Sequence, residues 1–314
     1  MKGVEIVADQ AYFRGSTAEL QRALTGGALD RCGSLVVEGK LNALPPEIGR
    51  LKRLRELILD TDTIQTIDEA LFQCVGLVKL VVLSNQIKQL PAGGWARLVK
   101  LEQLDLTTSN ALRELPADLG EAPRLVGDLD LSQQTKLAAL PPSFARLAGV
   151  TLLRLPPGLP APESIAGMKG LRELQLRGVD RLPDDLGELK DLRLLDAYEC
   201  PITALPESIG GATLLRALAL ARTKLTALPD SLTELRALRD LDLAQTPLVT
   251  LPEAIGLVPL TRLRLQNTLL KRLRESLATP AGDLRMYLPR EQRDVIEMTS
   301  MPVLAGSWDV VASL

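Results

Sequence analysis

Residues 215–237 read LRALALARTKLTALPDSLTELRA, and residues 238–259 read LRDLDLAQTPLVTLPEAIGLVP. Aligned, the two share one frame, LxxLxLxxTxLxxLPxxIxxL. Working outward from this pair, the frame restarts at Cys32, Leu54, Leu77, Leu101, Val126, Val150, Leu171, Leu192, Leu215, Leu238 and Leu260. These are about eleven units at intervals of 21–25 residues, and eight carry Leu-Pro at the same phase, from Leu44-Pro45 to Leu251-Pro252. A ninth, Ala161-Pro162, keeps the proline. A fixed period of this size marks a stacked-coil architecture.

The chemistry of one unit explains the frame. LxxLxL alternates as a short strand with one buried face must, so its leucines point inward and the residues between them outward. The chain then turns at a position read as Asp62, Asn85, Asn110, Thr135, Cys200, Thr223, Thr246 and Thr268. A buried coil needs its backbone groups bonded there, and threonine and cysteine offer fewer donors than asparagine. Leu-Pro opens the outer half, where proline suits the first position of a short helix or 3-10 turn. Gly49, Gly120, Gly187, Gly210 and Gly256 are expected to leave that turn with φ > 0. One unit cannot cover its own apolar stripe, but stacked neighbours can. The expected fold is α/β: a right-handed solenoid, or horseshoe, with a parallel sheet on the concave face and short helices or 3-10 turns on the convex face.

Solenoid ends need covers. Residues 1–31 read as an N-terminal capping segment, with Ser16-Thr17-Ala18-Glu19 as a capping box opening a helix that aligns Leu20 and Leu24. Residues 32–273 form the repeats, and 274–314 a C-terminal cap and tail with a helix expected over Pro289–Met298. The unit starting at Val150 and the next are each about two residues short, with Pro156-Pro157 directly after the strand, so a bend is expected near 156–182.

Composition removes several functions. Leucine fills 67 of 314 positions, aromatics make up 3 %, and histidine is absent. Without histidine the chain has no Ser-His-Asp or Cys-His nucleophile and no His-ligated metal. A net charge of −2 does not suit a nucleic-acid surface or an anionic membrane. No run of 18 apolar residues is present for membrane insertion, and MKGVEIVADQ is not a Sec signal peptide. No cofactor is expected.

The stretch LPESIGGATLLRALALARTKLTALPDSL, residues 205–232, resembles the leucine-rich repeats whose outer half reads LPxxIGxLxxL. Such repeats occur in scribble-like scaffolds, plant intracellular Ras-group-related proteins, plant immune receptors and bacterial type III secreted effectors. The resemblance covers roughly residues 32–273. Threonine or cysteine at the turn and the Ala/Arg/Leu-rich coils most resemble the effector group. That resemblance implies a non-catalytic protein-binding module, an effector or its target-recognition domain, monomeric, and either cytoplasmic or secreted into a host cell to bind a host protein. The alternatives are the substrate-recognition part of a larger enzyme such as a ubiquitin ligase, and an intracellular scaffold. The effector ligases carry a Cys-x-Asp motif. Here the cysteines stand in Cys32-Gly-Ser, Cys74-Val-Gly and Cys200-Pro-Ile.

Each cysteine also has a framework position, which makes it a buried filler. Asp105, Asp130, Asp196 and Asp242 recur between strand leucines, so they read as a solvated face rather than an acid/base pair. Adjacent strands should pair Asp130 with Arg154, Glu199 with Arg222, and Asp240 and Asp242 with Arg262 and Arg264. Tyr198 is read as the one aromatic on the concave strands, beside the small Ala219 and Ala221. Tyrosine is enriched at binding hot spots. The candidate partner-binding patch is therefore Arg154, Gln175, Arg177, Asp196, Tyr198 and Glu199.

Overall fold

A computed structural model describes residues 3–270 and 284–287. The chain divides into two compact units, Met1–Pro156 and Pro157–Leu314, with the boundary between the two prolines of the shortened coil. The helix expected over Pro289–Met298 and the end of the repeats at 273 lie outside the described residues.

The first unit contains β1 (Val4–Val7), β2 (Gln10–Ser16), α1 (Thr17–Thr25), β3 (Ser34–Lys40), β4 (Ala43–Leu44), β5 (Glu56–Asp60), β6 (Thr66–Ile67), β7 (Lys79–Leu83), β8 (Gln103–Asp105), β9 (Val126–Asp130) and β10 (Gly149–Arg154). Its main sheet runs β1-β2-β3-β5-β7-β8. Only β1 is antiparallel to its neighbour. β9 and β10 pair in parallel, with a register shift between Val150 and Leu152. The second unit contains β11 (Glu173–Gln175), β12 (Leu194–Asp196), β13 (Ala217–Ala219), β14 (Asp240–Asp242), β15 (Arg262–Arg264) and β16 (Arg285–Tyr287), parallel and paired in chain order. Leu195, Leu218, Leu241 and Leu263 stand in one register row and are at most 1 % exposed. Each leucine buried in this way contributes about 2 kcal/mol.

Stacking starts earlier than the frame suggests. β2 already pairs in parallel with β3 over seven residues, and α1 takes the place of the outer turn. The first coil therefore lies inside the segment read as a cap, and β1 is the element that covers it. Ala11 and Phe13 fill this coil's inner strand positions, so a search for leucines passes over it. The helix opens as expected: the Glu19 carboxylate accepts from the N–H and hydroxyl of Ser16, both at 2.9 Å, and Leu20, Ala23 and Leu24 are buried.

Three local expectations need correction. The Leu-Pro prolines Pro45, Pro141, Pro206 and Pro229 stand one position before the 3-10 turn, in extended conformation. Their carbonyls, not their rings, start the turn; the Pro206 oxygen accepts from the Ile209 N–H at 3.0 Å.

None of Gly49, Gly120, Gly187, Gly210 and Gly256 has a positive φ. At four of them a side chain would strike the next coil. A Cβ on Gly120 would lie 1.8 Å from the Ser143 carbonyl oxygen, and one on Gly187 1.7 Å from that of Ser208. For Gly210 and Gly49 the distances to the Ser231 and Ala70 oxygens would be 2.5 and 2.8 Å. Close approach, not backbone handedness, selects glycine there.

The buried turn position in the first unit is one residue earlier than the asparagines suggest: Thr61, Ser84, Ser109 and Gln134 are buried, while Asp62, Asn85, Asn110 and Thr135 are exposed. The buried set bonds the preceding coil: Thr61 to the Gly39 carbonyl (2.5 Å), Ser84 to Ile64 (3.0 Å), Gln134 to Leu106 (2.6 Å), and Ser109 to Val82. In the second unit Thr223, Thr246 and Thr268 instead donate to Leu220, Leu243 and Leu265 of their own coil, at 2.8, 2.7 and 3.0 Å.

Candidate functional site

The open face of the sheet is organised by its aspartates. One oxygen of Asp105, Asp130, Asp196 and Asp242 accepts the N–H two residues on, from Thr107, Ser132, Tyr198 and Ala244, at 2.9, 2.9, 3.0 and 3.0 Å. Each closes an Asx turn that takes the chain out of its strand. The second oxygen of three of them holds an arginine of an adjacent coil: Arg154 at 3.0 Å from Asp130, Arg177 at 2.6 Å from Asp196, Arg264 at 3.2 Å from Asp242. These residues are half-buried fasteners, which corrects their reading as a merely solvated row.

In the second unit the residue before the buried turn position is left-handed in successive coils: Gly178 (φ 65), Glu199 (φ 59), Arg222 (φ 58), Gln245 (φ 58) and Asn267 (φ 56). That conformation costs a non-glycine residue about 1–2 kcal/mol. It is offset by a ladder, in which the N–H groups of Glu199, Arg222 and Gln245 donate to the carbonyls of Ala221, Ala244 and Gln266 at 3.0, 2.8 and 2.6 Å. The side chains link as well. Arg222 Nη1 donates to Glu199 Oε1 at 2.5 Å and Arg222 Nε to Gln245 Oε1 at 2.7 Å. The Arg222 bond, helped by the Tyr198 hydroxyl, holds the Glu199 carboxyl below the usual carboxylate range.

Tyr198 stands between two cations. The guanidinium carbons of Arg177 and Arg222 lie 5.6 and 5.5 Å from its ring centroid, within cation–π range. Each cation is also tied to a carboxylate, Arg177 to Asp196 and Arg222 to Glu199. The structure thus brings together Arg177, Asp196, Tyr198 and Glu199, with Gln175 in register with Asp196. Arg154 belongs to the first unit, where it meets Asp130. The remaining expected pairs form: Arg262 with Asp240 at 2.5 Å, and Arg264 with Asp240 and Asp242 at 3.2 Å each. Ala221, read as open surface, is 7 % exposed. Tyr198 itself follows β12, whereas Tyr12 and Tyr287 lie within strands β2 and β16.

The three cysteines are buried and free, and burial pushes Cys74 up to about 11. Among the described residues no cluster of three or more Cys, Asp or Glu is placed to hold a metal ion, and no helix is long and apolar enough to cross a membrane.

No family model and no curated protein matches the chain in sequence. Solved structures match its fold. The plant peptide hormone receptor RGFR1, in complex with RGF2, superposes with a TM-score of 0.66 at 21 % identity, covering 91 % of this chain and 49 % of the receptor chain. The leucine-rich repeat domain of APL1B gives 0.50 at 15 % identity, over 84 % of this chain and 78 % of that one. The fold is a leucine-rich-repeat solenoid. The Toll–Spatzle complex of Drosophila also matches, with a TM-score of 0.56, 20 % identity, and coverage of 91 % and 48 %. The chain spans about half the length of the RGFR1 and Toll structures.

The leucine-rich-repeat sheet of the first unit also carries an apolar row, in which Val36 and Val81 are buried. Tyr12, Val36, Ile58 and Val81 stand in one register row across β2, β3, β5 and β7, on the face opposite the core leucines. The signal was present in the strands SLVVEGK, ELILD and KLVVL, where β-branched residues fill positions that later coils give to Asp, Glu or Arg. Arg222, outside the patch read from the sequence, joins it through the expected pairing with Glu199.

Proposed function

We propose that this leucine-rich-repeat chain is a protein-interaction module, and that its second unit engages a partner polypeptide through Gln175, Arg177, Asp196, Tyr198, Glu199 and Arg222. The observation that carries this reading is the Tyr198 ring held between two guanidiniums that are each fixed by a carboxylate. A ring held in that way loses little freedom on contact, so binding there is pre-organised. Arg154 with Asp130 offers a separate polar contact on the first unit. Two similar folds, RGFR1 with RGF2 and Toll with Spatzle, are complexes with a second component, which supports the same use of the solenoid. In its finer form the proposal is a monomeric effector, or an effector's target-recognition domain, acting on a host protein. Its support is the threonine- and cysteine-bearing, Ala/Arg-rich coils around 200–268.

The test compares immobilised wild type with Tyr198→Ala and with Val99→Ser, an exposed position away from the strands. Capture of one protein from host or bacterial lysate should be lost in Tyr198→Ala and kept in Val99→Ser, with Tyr198→Ala still folded and its melting midpoint lowered only by the few degrees that two lost cation–π contacts cost. Asp196 is a poor choice for this purpose because it also closes the turn at Tyr198. Capture that survives Tyr198→Ala would remove the patch from the account.

A further inference from the structure

Among the described residues β1 is the end strand of the first unit's sheet and is bonded on one side only. The Arg14 N–H donates to the Gly3 carbonyl at 2.7 Å, which fixes the alternation of the hairpin. Bonded pairs then recur at Glu5–Tyr12 and Val7–Gln10, so Val4 and Ile6 turn their N–H and C=O groups away from β2. Four backbone groups line that outer edge. Its side chains are open: Ile6 is 49 % and Val7 57 % exposed. The strand VEIV has no proline, lysine or bulge of the kind that blunts an edge.

What the edge accepts is decided by Glu5. If two copies of this chain paired antiparallel using all four groups, Val4 would face Ile6 of the second copy and Glu5 would face its own counterpart. In such a pair the residues between bonded positions approach most closely, at about 4.5 Å between Cα atoms, and like charges there oppose pairing. The register with Ile6 opposite Ile6 runs into Ala8, which turns the hairpin at φ 58.

We infer that β1 is a docking edge for an extended segment of another protein, with aliphatic residues opposite Val4 and Ile6 and a lysine or arginine opposite Glu5. The segment adds a strand to the sheet by main-chain hydrogen bonds, and the salt pair at Glu5 sets its register. This surface is distinct from the Tyr198 cluster and does not depend on it.

The experiment uses the full chain and a synthetic probe, acetyl-Thr-Val-Lys-Ile-Thr-amide. At saturation, amide hydrogen exchange should slow at Val4 and Ile6 and stay unchanged at Glu5 and Val7, which already bond β2. Replacing the probe's Lys by Glu should weaken binding about tenfold, and Glu5→Lys should reverse that preference. N-methylation of the probe's Val and Ile should abolish binding. So should Ile6→Pro, which removes one outward donor and leaves the β2 bonds in place. If Ile6→Pro does not fold, the charge reversal and the methylated probe decide the matter. Equal binding of the Lys and Glu probes, no protection at Val4 and Ile6, or a dimer already protecting both amides without probe would each overturn the inference.

Discussion

Replacing Gly187 by alanine puts a methyl group where the next coil's backbone already lies. The added Cβ would stand 1.7 Å from the Ser208 carbonyl oxygen, while ordinary contact begins at 3.4 Å. The coils must part by ~1.7 Å to accommodate it, far more than a close-packed interior yields without cost. Overpacking of that kind costs about 1–3 kcal/mol. The Gly187 N–H also donates to Ser208 Oγ at 3.3 Å, already near the limit, so the same movement breaks a bond worth about 1 kcal/mol. The expected loss is therefore about 2–4 kcal/mol, read as a fall in the urea midpoint. Gly158→Ala is the contrast: its φ is +80 with nothing within 4 Å, so it carries only the left-handed cost of about 1–2 kcal/mol. If Gly187→Ala is within about 0.5 kcal/mol of wild type, close approach is not what selects glycine there.

Other consequences can be checked separately. Ser109→Ala leaves the Val82 carbonyl and the Ser84 N–H without their buried partner and should cost about 2–3 kcal/mol, whereas Thr223→Val unmakes one bond inside its own coil and should cost about 1 kcal/mol in the same denaturation assay. Burial pulls Asp185 upward, but hydrogen bonds from the Ser164 hydroxyl and the Ile165 and Ala166 N–H groups outweigh it and hold the carboxyl below its usual value. Its stabilisation is present above the unfolded pKa of about 4 and is lost as pH falls through the folded value. The stability gap between wild type and Asp185→Asn, measured at stepped pH, should close in acid. Cys74, with its thiol pushed up to about 11, should resist iodoacetamide at pH 8 until denaturant opens the coil.

The leucine frame and its prolines were enough to place the parallel strands and outer turns, because both follow from period and burial. What the frame could not show depends on contacts between coils. Asn85 and Asn110 have the residue type that suits the turn, yet the smaller Ser84 and Ser109 are the buried pair, and only the stacked neighbour reveals which of two adjacent polar residues is enclosed. The outer glycines were legible as required but not for their reason, since the obstructing atom belongs to a residue about twenty positions away. At the candidate site, register arithmetic anticipated the pairs Asp130–Arg154 and Glu199–Arg222. It did not show that Asp196 closes a turn or that Arg177 and Arg222 flank Tyr198, because those depend on how each side chain is placed as its coil leaves the strand. The first coil was hidden for a simpler reason: Ala11 and Phe13 do the work that leucine does elsewhere.

Disulfide trapping reads the register of the coils directly. Ala217 and Asp240 are partners on adjacent strands, while Arg262 lies one strand further on. Neighbouring strands about 4.8 Å apart fall inside the Cα range of a disulfide, and strands two steps apart do not. Ala217→Cys with Asp240→Cys is expected to oxidise readily in the folded chain, while Ala217→Cys with Arg262→Cys stays reduced. Trapping of the second pair in preference to the first would contradict this register.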